Sequence, residues 1–192
     1  MESLSLRDGE LYLDRAFLSG EEADRLFARL LDEIAWQEEA IKLYGRSVKV
    51  PRLVAWYGDP GACYTYSGVS HQPLAWTPAL ARLKARLETA TAHRFNSVLA
   101  NLYRNERDSM GWHADKEREL GSNPVIASLS LGQRRLFKLR HNKTRETIDL
   151  WLEHGTLLLM AGALQHHWRH CLPKSQRPMG PRINLTFRMI VM

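Results

Sequence analysis

Hydrophobic and polar positions alternate with the periodicity of an α-helix in two segments of the first half of the chain. Ser19 and Glu22 form a capping-box pattern, and apolar residues recur at helical spacing from there to Ile34. Thr77 and Pro78, a capping residue followed by a first-turn proline, begin a second run with leucines on one face. The pattern therefore predicts two amphipathic helices, which we interpret as structural.

Short strand-like runs bounded by turn residues dominate the chain from residue 95 onward. The predicted strands cover residues 10–17, 95–103, 124–132, 134–140, 146–152, 155–162 and 182–191. Helices followed by many short strands indicate a β sandwich or barrel with a helical layer on one side. Because the 192 residues contain no linker-like segment, we predict one domain with a mainly β, α+β fold.

The charge balance of the chain indicates a polyanionic binding partner. Lys and Arg number 27 against 21 Asp and Glu, a formal net charge of +6, and such an excess favours nucleic acid. The run RRLFKLRHNKTR (134–145) holds basic residues and no acidic one. It is interpreted either as a solvated hairpin or as a contact to backbone phosphates.

The expected compartment follows from three absences in the sequence. The two cysteines form no CxxC pair, so neither a disulfide framework nor a zinc finger is indicated. The start MESLSLRDGE lacks the pattern of a signal peptide, and no apolar run approaches the roughly 20 residues that cross a bilayer. We expect a cytoplasmic protein without a membrane partner, in the bacterial cytosol or, for a eukaryotic source, in the nucleus.

Candidate metal chemistry begins in the stretch GWHADKERE. His113 and Asp115 are two positions apart, so on a strand their side chains project from the same face. Further histidines cluster in QHHWRHCLPK, where His166 and His170 have the i, i+4 spacing that suits zinc on a helix. The lack of a helical apolar face favours an extended segment instead, with His166, Trp168 and His170 on one side.

A two-histidine, one-carboxylate set is therefore available in His113, Asp115 and His170. Such a set leaves coordination positions open and suits iron(II) that must bind a cosubstrate and dioxygen. In PRINLTFR (181–188), polar and apolar residues alternate, so that two arginines point to the same interior side. Inward arginines are costly unless a carboxylate meets them, and a small dicarboxylic acid would do so.

Taken in order and with their spacing, five stretches resemble the AlkB family of iron(II)- and 2-oxoglutarate-dependent nucleic-acid dealkylases. They are NLYRNERDSMGWHADKERELG, PVIASLSLG, HGTLLLM, QHHWRHCLP and PRINLTFR. The resemblance is greatest to the branch of duplex-DNA repair homologues. It implies a double-stranded β-helix, or jelly-roll, with helices supporting one sheet. Within a single domain of residues 1–192, it places a recognition lid and helices in 1–94 and the catalytic core in 95–192.

The resemblance also implies the residues that bind iron and 2-oxoglutarate. His113, Asp115 and His170 would be the iron ligands and the catalytic residues. The cosubstrate set would be Asn101, Tyr103, Arg182, Asn184, Thr186 and Arg188. Within it, Arg182 would pair with the distal carboxylate with help from Tyr103 and Thr186, while Arg188 and Asn101 would serve the keto-acid end.

Substrate contacts are implied in the same way. The set is Tyr44, Gly45, Arg46, Arg52, Tyr64, Thr65, Tyr66 and Glu117. A flipped base would stack between Tyr66 and His113, Glu117 would face its amino group, and Tyr44 would fill the hole left in a duplex. Ordinary packing of the tyrosines is the alternative. Two departures stand out: Lys116, where relatives often carry an acid, and Glu106, where glycine is common.

The activity implied is oxidative demethylation of 1-methyladenine and 3-methylcytosine in DNA. 2-Oxoglutarate and O2 would be consumed, and succinate, CO2 and formaldehyde formed. The partner would be alkylated DNA, with RNA as an alternative, and we expect a monomer. Three other functions remain open: a hydroxylase of RNA, protein or a small molecule, a zinc-dependent hydrolase, and a catalytically silent nucleic-acid binder.

Overall fold

A computed structural model describes residues 1–43, 46–66 and 69–191 of the chain. Tyr44 and Gly45, two of the predicted substrate residues, lie outside the described residues. Arg46 begins a long strand, and Tyr64–Tyr66 forms a short one. The substrate-binding roles of all six of these residues stay predictions.

The chain forms strands and helices with the following bounds. The strands are β1 (Glu2–Ser3), β2 (Glu10–Asp14), β3 (Gln37–Leu43), β4 (Arg46–Gly58), β5 (Tyr64–Tyr66), β6 (Val69–His71), β7 (Ser97–Tyr103), β8 (Met110–His113), β9 (Ile126–Gly132), β10 (Arg135–His141), β11 (Thr147–Leu152), β12 (Leu157–Ala161), β13 (Trp168–Leu172) and β14 (Arg182–Arg188). The helices are α1 (Gly20–Glu33), α2 (Pro78–Thr91) and the single turn α3 (Leu164–His167), with a 3₁₀ turn at Arg118–Leu120.

Two antiparallel sheets enclose the interior. The major sheet has the strand order β1-β2-β12-β9-β14-β7-β4-β3, and the minor sheet has the order β11-β10-β13-β8. Within the described ranges, strands β5 and β6 form a separate two-stranded sheet. This is the predicted jelly-roll arrangement. Strands from the first 94 residues join the same major sheet as the later strands, since β2 pairs with β12 and β4 with β7.

Both predicted helices are present and begin where their caps predict. The Ser19 hydroxyl accepts a hydrogen bond from the Glu22 amide at 3.3 Å, and the Glu22 carboxylate accepts one from the Ser19 amide at 3.0 Å. Thr77 caps α2 in the same manner through the Leu80 amide. Leu80 and Leu87 of α2 are fully buried against the major sheet, and each such leucine contributes roughly 1.5–3 kcal/mol by burial.

Alternation along β14 divides the molecule into an apolar layer and a polar interior. Ile183, Leu185 and Phe187 pack in the core beneath the helices. The residues between them have the opposite orientation, because successive strand residues project to opposite faces. The polar side chains of β14 therefore line the space between the two sheets, as predicted.

A second apolar cluster fills the opposite part of the interior. Its buried residues include Leu11, Leu13, Ile126, Leu139, Leu158 and Trp168. The polar site thus occupies one end of the jelly-roll, and a packed core closes the other. Among the described residues, no helix is both long and apolar enough to span a membrane.

The segment containing the histidine cluster differs in part from its prediction. Trp168 and His170 lie in β13 and are both buried, as an extended segment requires. His166 belongs to the turn α3 and is exposed. The prediction that His166 shares a side with His170 was therefore wrong, because the chain completes a helical turn before the strand begins.

Candidate metal centre and adjoining pocket

Strand pairing brings the predicted metal ligands together. His113 ends β8 and stands opposite His170 of β13 in the antiparallel register. Asp115 follows two residues after His113. One ligand atom from each of His113, Asp115 and His170 lies within 4.8 Å of the others, and the two imidazole centroids are 4.2 Å apart. The three side chains therefore converge on a single point.

Hydrogen bonds orient the His113 ring and fix the backbone at Asp115. His113 Nδ1 lies 2.9 Å from the Gly111 carbonyl, which leaves Nε2 on the side of Asp115, 3.7 Å from its Oδ1. The Asp115 amide donates to Gln165 Oε1 at 3.0 Å, which fixes the backbone at that position. A metal-bound histidine ordinarily has a partner of this kind on its second nitrogen.

Burial and charge keep two of the ligands in the form that binds a metal. Burial by itself would raise the pKa of Asp115, but the Arg188 guanidinium and the two histidine rings outweigh it and hold that pKa below its ordinary value. Burial lowers the pKa of His170 to about 3, assisted by the charge of His113. At neutral pH the carboxylate is therefore ionised and the His170 ring neutral, as metal coordination requires.

The donor set fits iron(II). Two imidazoles and one carboxylate form the ligand set of non-haem iron oxygenases, which leave positions open for other ligands. The Nδ1 atom of His170 is buried and makes no hydrogen bond to any of the described residues. Asp115 and His170 are 5% and 4% exposed, so water has little access from their side.

The six predicted cosubstrate residues line the same cavity as the three metal ligands. They are Asn101, Tyr103, Arg182, Asn184, Thr186 and Arg188. Their placement follows from the pairing of β7 with β14, where Arg182 lies opposite Tyr103 and Asn184 opposite Asn101. A polar pocket beside the metal ligands is therefore built by two neighbouring strands of the major sheet.

The surroundings of Arg182 suit a buried cation that binds an anionic ligand. It is 2% exposed, donates from Nη2 to Ser130 Oγ at 2.9 Å and has its guanidinium 5.3 Å from the Tyr103 ring centre. Within the described part of the chain, no carboxylate forms an ion pair with it, and its buried Nε has no hydrogen-bond partner. Burial lowers the pKa of Arg182 to about 10, so the side chain remains cationic at neutral pH.

Other members of the set make contacts within the protein. Thr186 donates to Asn184 Oδ1 at 3.0 Å, and Asn184 donates to Ser128 Oγ at 2.8 Å. Arg188 donates to Asp115 Oδ2 at 3.1 Å. In this structure Arg188 therefore supports a metal ligand directly, and its predicted role at the keto-acid end stays untested.

Sequence reasoning did not identify Arg135 as part of this region. The side chain is 1% exposed and donates to the carbonyls of Asn105, Asp108 and Pro173. Its guanidinium lies 5.8 Å from the Tyr103 ring centre. The period-two alternation of RLFKLR was the available signal, because it places Arg135 on the inward face with the buried residues of β10.

A larger cleft opens beside the metal ligands and holds two predicted substrate residues. Its volume is about 660 Å³, and Arg52, Glu117, Trp56 and His113 contribute to its wall. Arg52 is buried and donates from Nε to Asn101 Oδ1 at 2.6 Å, which connects the cleft to the cosubstrate pocket. The Glu117 Oε2 atom is buried without a hydrogen-bond partner in the described residues.

The two departures from the family pattern lie outside this cleft. The Lys116 ammonium donates to the His166 carbonyl at 3.4 Å. Glu106 Oε2 accepts a hydrogen bond from the Met179 amide at 3.3 Å. Neither residue belongs to the cleft wall, so neither departure alters the site directly.

Two other histidines, His154 and His166, contact loops away from the metal ligands. His154 Nδ1 accepts the Gly132 amide hydrogen at 2.7 Å, and its Nε2 lies 3.1 Å from Asp24. The His166 ring contacts the Ser122 carbonyl. Both imidazole rings therefore stabilise loops by hydrogen bonding.

Comparison with known proteins gives the following matches. The family model "2OG-Fe(II) oxygenase superfamily" matches residues 10–188. "Alpha-ketoglutarate-dependent dioxygenase alkB homolog 3" is 42% identical over 184 residues both in Bos taurus and in Homo sapiens, covering 91% of this chain and 64% of either relative. The chain thus spans slightly less than two thirds of the length of these relatives.

A second curated relative is covered more fully. "DNA oxidative demethylase ALKBH2" of Mus musculus is 40% identical over 198 residues, with 97% of this chain and 83% of the relative covered. Among solved structures, that of OsALKBH1 superposes with a TM-score of 0.69 at 19% identity and covers 97% of this chain and 100% of that one. The last comparison concerns the fold alone and agrees with a jelly-roll oxygenase.

Proposed function

Because the chain belongs to the 2OG-Fe(II) oxygenase superfamily and to its AlkB family, we propose that it is an oxidative demethylase of N-alkylated nucleic-acid bases. The substrates we propose are 1-methyladenine and 3-methylcytosine in DNA. One observation carries the proposal: the His113–Asp115–His170 cluster, in which Asp115 and His170 are buried and His113 is half-buried, shares a cavity with Arg182, a buried cation that has no ion pair with a carboxylate of the described residues.

Iron(II), 2-oxoglutarate and O2, when bound, would supply the oxidising chemistry, with succinate, CO2 and formaldehyde as products. His113, Asp115 and His170 would hold the iron, and their burial would restrict access of water. Arg182 would bind the distal carboxylate of 2-oxoglutarate in a charge-assisted pair, with the Tyr103 ring beside it.

The cleft beside the metal ligands supports the choice of a base as substrate. A methylated base must leave the stack to reach the metal centre, at a cost of a few kcal/mol. The half-buried Glu117 carboxylate, whose Oε2 atom is buried without a hydrogen-bond partner in the described residues, can accept a hydrogen bond from the exocyclic amino group that adenine and cytosine share. Arg52 would hold the wall between the base and the cosubstrate through its hydrogen bond to Asn101.

The alternatives considered above receive less support. A zinc hydrolase would use the same three ligands but would leave the buried Arg182 without a role. A catalytically inactive nucleic-acid binder would need only a basic surface. It would not need a buried Asp115 that is ionised at neutral pH. A hydroxylase of RNA or protein would retain the metal centre and differ in what enters the cleft.

The proposal is tested by formaldehyde release from methylated single-stranded and double-stranded DNA and RNA. We expect release from a DNA substrate, with loss when either iron or 2-oxoglutarate is withheld. Release that continues without 2-oxoglutarate would contradict the oxygenase mechanism. Uncoupled succinate formation with no formaldehyde from any nucleic acid would instead assign the site to a different hydroxylase substrate.

A further inference from the structure

A second group of metal-ligating side chains lies at the closed end of the jelly-roll. Asp8, His141 and His167 each offer one ligand atom, and these atoms all lie within 4.8 Å of one another. The three ligand atoms of the candidate metal centre lie within the same limit. None of these three residues takes part in the site described above.

The fold keeps the two clusters apart. In the register of β10 and β13, Leu139 pairs with His170. Two residues further along β10, His141 pairs with Trp168. Leu139 and Trp168 are both completely buried. A layer of apolar side chains therefore separates the second cluster from the candidate metal centre.

The turn that carries Asp8 is held by a contact that needs no metal. The Trp168 indole donates to the carbonyl of the adjacent Arg7 at 2.8 Å. The turn between β1 and β2 is thereby attached to the start of β13. This attachment places the Asp8 Oδ2 atom 3.3 Å from His141 Nε2.

The two histidines are anchored as well. The Asn142 amide donates to the His167 carbonyl at 2.7 Å, which ties the end of β10 to the end of α3. The Thr144 amide donates to His141 Nδ1 at 3.1 Å and fixes the orientation of that ring. The imidazoles of His141 and His167 are nearly parallel, with their centroids 6.0 Å apart.

His141 Nε2 is a buried polar atom without a hydrogen bond. The side chain is 2% exposed, and although Asp8 is close, the carboxylate is not aligned to accept a hydrogen bond from the ring. No other described residue makes a hydrogen bond to this nitrogen. A buried ring nitrogen without a partner is costly because its desolvation is not compensated, and a bound cation would remove that cost.

We propose that Asp8, His141 and His167 bind a second divalent metal ion of the zinc class. Two imidazole nitrogens and one carboxylate oxygen form a borderline donor set that suits zinc, with water completing a tetrahedron. The ion joins the turn between β1 and β2 to the end of β10 and the end of α3. Its role is to stabilise the closed end of the jelly-roll.

Binding also requires a change of tautomer at His141. In the metal-free protein Nδ1 accepts from the Thr144 amide, so the neutral ring carries its proton on Nε2. Coordination through Nε2 moves the proton to Nδ1, where the hydrogen bond from the Thr144 amide is lost and the Thr144 hydroxyl, 3.1 Å away, can accept the new N–H instead. A metal-bound histidine commonly has such a partner on its other nitrogen.

The test is zinc content after dialysis, measured on the intact protein and on variants. His113→Ala disables the candidate metal centre and isolates the second cluster. We expect two zinc ions per chain in the unmodified protein, one in His113→Ala, and none when Asp8→Asn or His167→Ala is added to it. Loss of a direct ligand should weaken zinc binding by at least about a hundredfold.

Two further readouts make the result independent of how any one variant folds. In ¹⁵N spectra of His113→Ala, added zinc should move the ring proton of His141 from Nε2 to Nδ1, so that the Nδ1 signal takes the shift of a protonated nitrogen. It should also raise the unfolding midpoint of His113→Ala and leave that of His113→Ala/His167→Ala unchanged. Absence of zinc from His113→Ala, or a zinc ion in that variant that survives both Asp8→Asn and His167→Ala, would overturn the proposal.

Discussion

Arg188 donates a hydrogen bond of 3.1 Å to the carboxylate of Asp115, and their side chains are 7% and 6% exposed. The pair connects the end of β14 in the major sheet to the loop that follows β8 in the minor sheet. A buried charge pair of this kind costs desolvation when it forms, yet loss of one partner leaves the other charge uncompensated. Arg188 therefore determines both the ionisation and the position of a metal ligand.

Replacement of Arg188 should accordingly destabilise the metal-free protein. Arg188→Met leaves the Asp115 carboxylate buried and unpaired, and we expect a loss of about 3–5 kcal/mol in the free energy of unfolding, measured with urea. The matched control is Arg25→Met, which breaks an exposed pair with Glu21 on α1 and should cost at most about 1 kcal/mol. Equal losses in the two variants would show that the buried pair has no special role.

Arg182→Ala should weaken the use of 2-oxoglutarate. The substitution removes a charge-assisted pair worth roughly 1.5–3 kcal/mol, so the apparent KM for 2-oxoglutarate should rise by about tenfold to a hundredfold. Arg169→Ala is the control, because that arginine is half-buried and bonds to Asn142 on the minor sheet. An unchanged KM in Arg182→Ala would reopen the hydrolase alternative.

The alternation of β14 made this part of the site predictable from sequence. A strand has a period of two, so a run of alternating polar and apolar residues fixes which side chains share a face. The HxD spacing worked for the same reason, since His113 ends a short strand and Asp115 follows it. His170 lies far along the chain on a partner strand, and it was assigned through the family resemblance and not through local geometry.

Long-range pairing was not predictable in this way. The partner of Arg188 is 73 residues distant in sequence, and no local pattern relates the two. The hairpin of β3 and β4 was missed because acidic residues and Pro51 interrupt its alternation. Arg135 was counted with a solvated basic run, although its position in the strand directs it inward.

Stability of the metal-free protein should fall as the pH falls below about 6.5. His170 has a pKa of about 3 in the folded protein against an ordinary value of 6.5, so the unfolded chain binds more protons between these values. The slope from this residue is at most about 1.4 kcal/mol per pH unit, and the low pKa of Asp115 adds a further loss only below about pH 4. Urea unfolding across this range should show the slope.

The control for this pH dependence is His170→Asn, which removes the titrating group. Its unfolding free energy should vary less with pH between about 6.5 and 4 than that of the unmodified protein. If both proteins have the same slope, the acid sensitivity arises elsewhere in the chain.

Binding to nucleic acid should depend steeply on salt. Arg140 lies over the exposed Trp112 at 4.5 Å, and Lys143 is exposed in the turn after β10, so both are accessible to phosphates. Charge reversal at either residue should reduce the log–log salt slope by about 0.9 for each phosphate that the protein no longer neutralises. Lys138 should have a smaller effect, because it is already paired with Asp149 at 2.6 Å.

The matched control for the salt experiment is Arg82→Glu on α2, an exposed arginine of the helical layer. It changes the net charge by the same amount on the other side of the major sheet. Equal reductions in slope for Arg140→Glu and Arg82→Glu would mean that net charge, and not this surface, controls binding.

The central claim is that His113, Asp115 and His170 hold the iron that turns over 2-oxoglutarate. Its most direct test is succinate formation by His113→Ala, Asp115→Ala and His170→Ala, with His166→Ala as a control that removes a nearby histidine. We predict that the three ligand variants fall to background with their circular dichroism unchanged, since each removes one of three ligands from an open site, while His166→Ala retains turnover. Wild-type turnover by any one of the three ligand variants would contradict the claim and place the metal elsewhere.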